Sequence, residues 1–173
     1  MGKSDHPVWT VYDRLRTARL NVKYYGSRLA STERLNFTLE MVLAASAPTS
    51  AVAGLWFWST DLGKLLWQWL GVAAALAAIA KPLLGLTKRI KDYENLLSGY
   101  RSLDYDLMEI KSLIEQKRKY DASLQGDFKR ALAKERVLVG KNPESRECRR
   151  VKETCEKAVI IELPAESFYV PED

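Results

Sequence analysis

The sequence is poor in the residues that build metal centres and disulfide frameworks. It contains one histidine, His6, and two cysteines, Cys148 and Cys155, among 173 residues. A lone histidine excludes most histidine-based metal or acid–base chemistry, and two cysteines in a highly charged segment indicate reduced thiols. The cysteines lie seven residues apart and could share a helix face. Packing is the simpler interpretation there, and metal binding or redox sensing is the alternative.

Catalytic motifs are also missing from the sequence. There is no glycine-rich phosphate loop, no nucleophile motif and no cysteine–histidine metal spacing. The carboxylates fall on predicted helix surfaces, where a solvated role is expected. We therefore expect the protein not to be an enzyme and to bind no cofactor or metal.

Charge is nearly absent from two long stretches, although the chain as a whole is 28% charged and has a mean hydropathy of −0.25. Glu40 is the only ionisable residue from 37 to 58, and Lys81 is the only one from 65 to 86. A transmembrane helix needs about 20 mostly apolar residues. The sequence therefore predicts two transmembrane helices, and the two lone charges are expected to reach the membrane–water interface.

A short connection and its flanking tryptophans predict that the two spans form a hairpin. Asp61 and Gly63 favour a turn in residues 59–64, which we predict to be an external loop. Tryptophans lie on both sides of this loop, as in an aromatic belt at one membrane face. These are Trp56, Trp58, Trp67 and Trp69.

Basic residues are concentrated outside the two predicted spans rather than between them. The connecting loop has Lys64 alone, offset by Asp61. Because positive charge favours the cytoplasmic side, both termini are expected in the cytoplasm. The basic residues closest to the outer ends of the spans are Arg28, Arg34, Lys88, Arg89 and Lys91.

The segments outside the spans have helical periodicity. Apolar residues from 8 to 36 recur at alternating steps of three and four, which indicates an amphipathic helix that packs on a partner. The same spacing continues after the second span. We expect the two helices to pack antiparallel, and the predicted regulatory contacts between them are Leu15, Val22, Tyr25, Tyr93, Tyr100 and Leu107. The arginines on the outward face are predicted to be solvated, with attraction to anionic lipid as the alternative for Arg28 and Arg34.

The predicted fold class is all-α: an integral membrane helical hairpin with an N-terminal and a long C-terminal cytoplasmic helix. Its parts are residues 1–36 (N-terminal helix), 37–58 (first span), 59–64 (loop), 65–86 (second span), 87–140 (long helical region) and 141–173 (tail). In the tail, residues 144–157 are predicted to be helical and 158–163 to be a strand or a helix end. Residues 164–173 are predicted to be extended, either disordered or docked onto a neighbour.

Polar and small residues within the spans are the candidate functional positions. Ser46, Thr49 and Ser50 could line a pore, or they could satisfy the backbone that Pro48 leaves unpaired. Ala74 and Ala78 have the small-xxx-small spacing that lets membrane helices approach closely. A single alanine-rich hairpin is a poor pore, so homo-oligomerisation is expected.

The order of these elements resembles the SLATT family of bacterial two-transmembrane effectors, which are associated with nucleotide second-messenger and nucleotide-sensing modules. The resemblance covers residues 8–115 and includes a hairpin between two helices. It is carried by Arg16, Arg19, Lys23, Tyr24 and Tyr25 in the first of them and by Tyr93, Leu96, Tyr100 and Leu103 in the second.

The resemblance implies a bacterial inner-membrane effector of antiviral, abortive-infection type defence. Such proteins form pores or disrupt the membrane when a partner senses infection, and the family has no catalytic residues to transfer. No sensor domain is evident in the sequence, so the trigger is expected from a separate sensor or messenger-generating protein, or from a ligand of the cytoplasmic helices. Direct nucleic-acid binding is not expected. The alternatives are a non-conducting membrane anchor for a soluble partner and a constitutive small ion channel.

Overall fold

The computed structural model describes residues 6–46, 60–144 and 146–171, and within these ranges the protein is all-α, with five α-helices and no strand. The helices are α1 (Val8–Ser46), α2 (Asp61–Leu84), α3 (Leu86–Lys117), α4 (Ala122–Val139) and α5 (Arg149–Glu162), followed by a 3-10 turn (Ala165–Ser167). The chain divides into two compact units. We call Met1–Leu29 with Asp92–Asp173 the helical unit, and Ala30–Lys91 the intervening segment.

Within the helical unit, α1 and α3 pack antiparallel. The Nε atom of Arg19 lies 2.9 Å from Oδ1 of Asp104, and the guanidinium of Arg28 lies 5.9 Å from the centre of the Tyr93 ring. As the residue number increases along α1, the residue number of its contact on α3 therefore decreases. This direction of packing agrees with the expectation from the heptad-like spacing.

The predicted contact residues of α1 and α3 meet in one hydrophobic core, to which α4 and α5 also contribute. Val22 is half-buried and packs against this core. The others are at least 96% buried: Leu15, Tyr25, Tyr93, Tyr100 and Leu107. Each large apolar side chain buried in this way contributes about 1.5–3 kcal/mol of transfer free energy, which is why the periodic face determines the packing.

The long helical region predicted for residues 87–140 is interrupted. The helix α3 ends at Lys117, Arg118 adopts a left-handed backbone conformation (φ 54°), and α4 starts after Asp121. The Asp121 carboxylate accepts the Leu124 N–H at 3.0 Å, which satisfies a backbone donor that the helix itself leaves unpaired. The region is helical on both sides of this break, which no glycine or proline in the sequence marks.

The second predicted span begins earlier than expected and does not continue into α3. The Thr60 side chain accepts the Gly63 N–H at 3.1 Å, so α2 starts at Asp61 and takes up most of the predicted loop 59–64. At the other end Gly85 has a φ of 56° and caps α2, after which α3 begins at once. Only a glycine adopts this left-handed cap without strain, which explains its position.

Part of the first predicted span is described. The helix α1 passes the predicted boundary at residue 36 without a break and reaches Ser46. The rest of that span, with Thr49 and Ser50, lies outside the described residues. Among the described residues, α2 is the one helix long and apolar enough to cross a membrane, and only 11% of its most apolar window is buried.

Candidate regulatory site on the basic face of the first helix

Basic residues of α1 bind acidic side chains and a main-chain carbonyl from later parts of the chain. The prediction of a solvated basic face was therefore wrong for Arg16, Arg19, Lys23 and Arg28, whereas Arg14 is exposed, with 47% of its side chain accessible. The contacts are Arg14 to Glu135 (3.3 Å), Arg16 to the Leu163 carbonyl (2.6 and 2.9 Å), Arg19 to Asp104 (2.9 Å), Lys23 to Glu162 (2.5 Å) and Arg28 to Glu144 (2.7 Å). Arg34 is exposed, and lipid attraction stays a prediction for it.

Glu144 is the most enclosed acceptor on this face, with 7% of its side chain exposed. Its carboxylate accepts hydrogen bonds from Nε of Arg28 (2.7 Å), from the Tyr93 hydroxyl (2.5 Å) and from the Tyr24 hydroxyl. The Tyr24 oxygen in turn accepts the Cys148 N–H at 2.8 Å. We call Tyr24, Arg28, Tyr93 and Glu144 the Glu144 cluster. It attaches the connection between α4 and α5 to both α1 and α3.

The electrostatics of the Glu144 cluster favour one ion pair and two neutral phenols. Burial alone would raise the pKa of Glu144, but the hydrogen bonds from Tyr24, Tyr93 and Arg28 together lower that pKa below its usual value. Burial, and then the hydrogen bond to Glu144, raise the pKa of Tyr24 to about 12. The same two causes raise the pKa of Tyr93.

We expect this cluster to make the stability of the helical unit sensitive to acid. The pKa of Glu144 is lower in the folded than in the unfolded chain, so its contribution is complete above the unfolded value of about 4.3. That contribution disappears as the pH falls through the folded value. The stability difference between the wild type and Glu144→Gln should therefore shrink from pH 7 to pH 3.5, as measured by thermal unfolding of the full chain in detergent. A difference that stays constant or widens would contradict the assigned pKa direction, and the exposed Glu94→Gln serves as the control.

A second ionic cluster joins α1 to α3 and α5. The Asp104 side chain is 10% exposed and accepts from Arg19, whose Nη1 atom also lies 3.6 Å from Glu162. The hydrogen bond to Asp104 raises the pKa of Arg19 despite its partial burial. Lys23 binds the other oxygen of Glu162 at 2.5 Å. Three helices are thus joined through charges that are partly shielded from water.

The last described residues pack on the start of α1. The Phe168 ring stacks on the Tyr12 ring with 4.2 Å between centroids and 9° between planes, and Trp9 contacts its edge at 6.3 Å. The Tyr12 hydroxyl donates to the Tyr169 carbonyl at 2.5 Å. Residues 164–171 therefore dock on their own chain, and the prediction of a disordered tail or one docked onto a neighbour was wrong. The reason is that Phe168 packs on the aromatic rings of Tyr12 and Trp9 in α1.

The candidate functional residues of the intervening segment differ in their contacts and in their exposure. The Ser46 hydroxyl donates to the Leu43 carbonyl at 2.8 Å within α1, and both pore lining and satisfaction of the backbone around Pro48 stay predictions for this residue. Ala74 is half-buried, but Ala78 is exposed, and Ala77 is the alanine that is buried (3% exposed). Close packing of Ala74 and Ala78 against another helix of an assembly stays a prediction.

The lone charges of the two predicted spans pair with each other. Nζ of Lys81 lies 3.0 Å from Oε1 of Glu40, with both side chains partly exposed. This pair was not predicted, although one acid and one base isolated in neighbouring apolar stretches were the available signal.

The cysteines have packing roles. Cys155 is buried, and burial raises the pKa of its thiol, while Cys148 is half-buried at the start of α5. No group of three or more potential metal ligands occurs among the described residues.

Comparison with known proteins adds no family assignment. No protein-family model matches the chain, and no curated protein or solved structure is significantly similar to it. The SLATT resemblance stays a prediction.

Proposed function

We propose that this protein is a membrane-embedded effector. In this proposal the intervening segment forms a two-helix transmembrane hairpin in the bacterial inner membrane. Several copies assemble into a pore or disrupt the bilayer, and the cytoplasmic helical unit keeps the assembly closed until a partner or signal acts.

The main support for the proposed hairpin is the way in which the chain connects the two units. Both ends of the intervening segment continue into the helical unit, in which α1 and α3 share one core. A segment that leaves a water-soluble unit and returns to it must cross a membrane an even number of times. If α2 spans the bilayer, a second crossing is therefore required between residues 30 and 60.

The exposed surface of α2 supports the membrane location. Large apolar side chains project from it at steps of three and four, and each is more than half exposed. They are Leu62, Leu65, Trp69, Val72, Leu76, Ile79 and Leu83. An apolar surface of this extent is rare on a soluble monomer, and lipid is a favourable cover for it.

The Glu40–Lys81 ion pair supports antiparallel spans. It joins α1 and α2 across 41 positions of sequence, close to the outer end of each predicted span. Charges at the bilayer centre are costly, whereas paired charges near the interface are tolerated.

The defence role and the separate sensing partner rest on the SLATT resemblance. The absence of a catalytic motif in the sequence agrees with a physical mode of action. The helical unit supports regulation, because α1 continues from it into the first proposed span and α3 follows the second proposed span directly after Gly85. A change in their packing within the unit would thus reach the membrane directly.

Dye release from liposomes tests the effector function. The full chain is reconstituted into vesicles of anionic phospholipid loaded with a self-quenching dye, over a range of protein-to-lipid ratios, at pH 7 and pH 3.5. We expect release to rise more steeply than linearly with protein density, because several hairpins must assemble, and to increase at pH 3.5, where protonation weakens the Glu144 cluster. An unrelated two-span membrane protein is the control. No release at any ratio or pH would contradict the pore and favour a membrane anchor.

A further inference from the structure

Residues 163–171, which we call the clasp, lie on the first turns of α1 and form no regular element there except the 3-10 turn. Two side chains of α1 donate hydrogen bonds to main-chain oxygens of the clasp. Nε and NH2 of Arg16 both donate to the Leu163 carbonyl, at 2.9 and 2.6 Å, and the Tyr12 hydroxyl donates to the Tyr169 carbonyl at 2.5 Å. Contacts of this kind recognise an extended peptide with little regard to its side chains.

Phe168 makes a buried aromatic contact in the clasp, in which Leu163 and Pro171 are also buried. The Phe168 ring is 7% exposed and stacks on Tyr12. The Arg16 guanidinium lies 5.1 Å and the Lys111 ammonium 5.8 Å from the centre of this ring. Cations at such distances are attracted to an aromatic face. The pocket therefore selects an aromatic side chain.

A second aromatic contact holds the end of the clasp. The Arg118 guanidinium lies 4.7 Å from the centre of the Tyr169 ring. Arg118 is the residue whose left-handed conformation separates α3 from α4. The clasp thus bridges the start of α1 and the end of α3, the two helices whose packing is central to the proposed regulation.

The middle of the clasp makes little contact. Ala165, Glu166 and Ser167 are exposed, and the Ser167 hydroxyl bonds to the Pro164 carbonyl within the clasp itself. The clasp is therefore held at its two ends, by Leu163 on one side and by Phe168 and the residues after it on the other, together with main-chain hydrogen bonds, as is common for an extended peptide bound by a protein surface. Such a segment can leave without unfolding a helix.

We propose that the start of α1, with Lys111 and Arg118, is a binding groove for an extended aromatic peptide, and that the clasp is its intramolecular ligand. Occupation of the groove by the clasp holds α1 on α3, and release of the clasp frees the first turns of α1. Any effect of clasp release on the membrane rests on the proposed effector function, whereas binding of the clasp in the groove does not.

Hydrogen exchange of the full chain in nanodiscs tests the binding. Phe168→Ala should accelerate exchange of the amides of residues 12–18 by roughly 100-fold, because it removes a buried aromatic ring. Tyr12→Phe removes only the hydrogen bond to Tyr169, and should accelerate it by roughly 2- to 10-fold. The exposed Glu166→Ala is the matched control within the clasp. Unchanged exchange in α4 shows that the variants are folded.

A peptide added in trans completes the experiment. A synthetic peptide of residues 161–173 should restore slow exchange to Phe168→Ala, and the same peptide carrying Phe168→Ala should not. Wild-type exchange rates in Phe168→Ala, or equal action of both peptides, would overturn the groove.

Dye release by the same variants separates this inference from the proposed function. Phe168→Ala should release dye at a lower protein-to-lipid ratio than the wild type. Faster exchange without a change in release from an active wild type would overturn the regulatory role of the clasp. If neither the wild type nor any variant releases dye, the effector function is contradicted. The exchange data still test whether the groove binds the clasp.

Discussion

Glu144→Ala is expected to destabilise the helical unit by about 3 kcal/mol, the lower end of the range for breaking a buried ion pair. The variant leaves the Arg28 guanidinium and the hydroxyls of Tyr24 and Tyr93 without the acceptor that they share. The lower end applies because the Arg28 side chain is 30% exposed and can recover some hydration. Loss of the cluster also detaches the connection between α4 and α5 from α1.

Hydrogen exchange in the slowest amides of α3 measures this effect. A loss of about 3 kcal/mol corresponds to roughly 100-fold faster exchange where opening is global. Glu94→Ala, an exposed carboxylate of α3, is the matched control and should change stability by less than about 0.5 kcal/mol. Equal exchange in the two variants would show that Glu144 does not stabilise the unit.

Leu76→Arg is expected to reduce membrane insertion by roughly 100-fold, because an arginine at the centre of a spanning helix costs about 2.5–3.5 kcal/mol on insertion scales. Leu76 lies in the middle part of α2 and is 65% exposed, so the substitution breaks no core contact within the chain. A soluble protein would therefore tolerate it.

Extraction of membranes with alkaline carbonate separates inserted from peripheral protein. The wild type should remain in the membrane, and Leu76→Arg should appear in the supernatant or be degraded. Tyr105→Arg is the matched control, since Tyr105 is 73% exposed on α3 in the helical unit. Retention of Leu76→Arg at the wild-type level would contradict the placement of α2 in the bilayer.

The periodic apolar residues were sufficient to predict the main packing. Leu15, Tyr25 and Tyr100 recur at helical spacing and are buried together, because apolar burial is the dominant local signal in an amphipathic helix. A glycine marked one helix end correctly. Gly140 follows the last residue of α4, at the end of the predicted helical region 87–140.

The basic face of α1 could not be predicted from local pattern. Its partners lie between 85 and 147 positions further along the chain, so nothing near an arginine reveals that an acid will cover it. A basic face on a single helix looks the same whether water or a carboxylate is beside it. The clasp was missed for the same reason.

The presence of a glycine at position 99 is explained by tertiary packing alone. A glycine within a helix is unfavourable by about 1 kcal/mol relative to alanine, and no local pattern around Gly99 explains it. A Cβ at this position would overlap the Leu138 side chain of α4. The close approach of α3 and α4 therefore explains the glycine.

Thiol labelling from outside the cell tests the membrane hairpin most directly. Asp61→Cys places a thiol at the exposed start of α2, and Gln125→Cys places one on the exposed face of α4. In intact spheroplasts of expressing bacteria, a membrane-impermeant maleimide should label Asp61→Cys. It should label Gln125→Cys and the native Cys148 only after the membrane is opened. Labelling of both positions from the same side, or of neither until lysis, would contradict a hairpin that crosses the membrane twice.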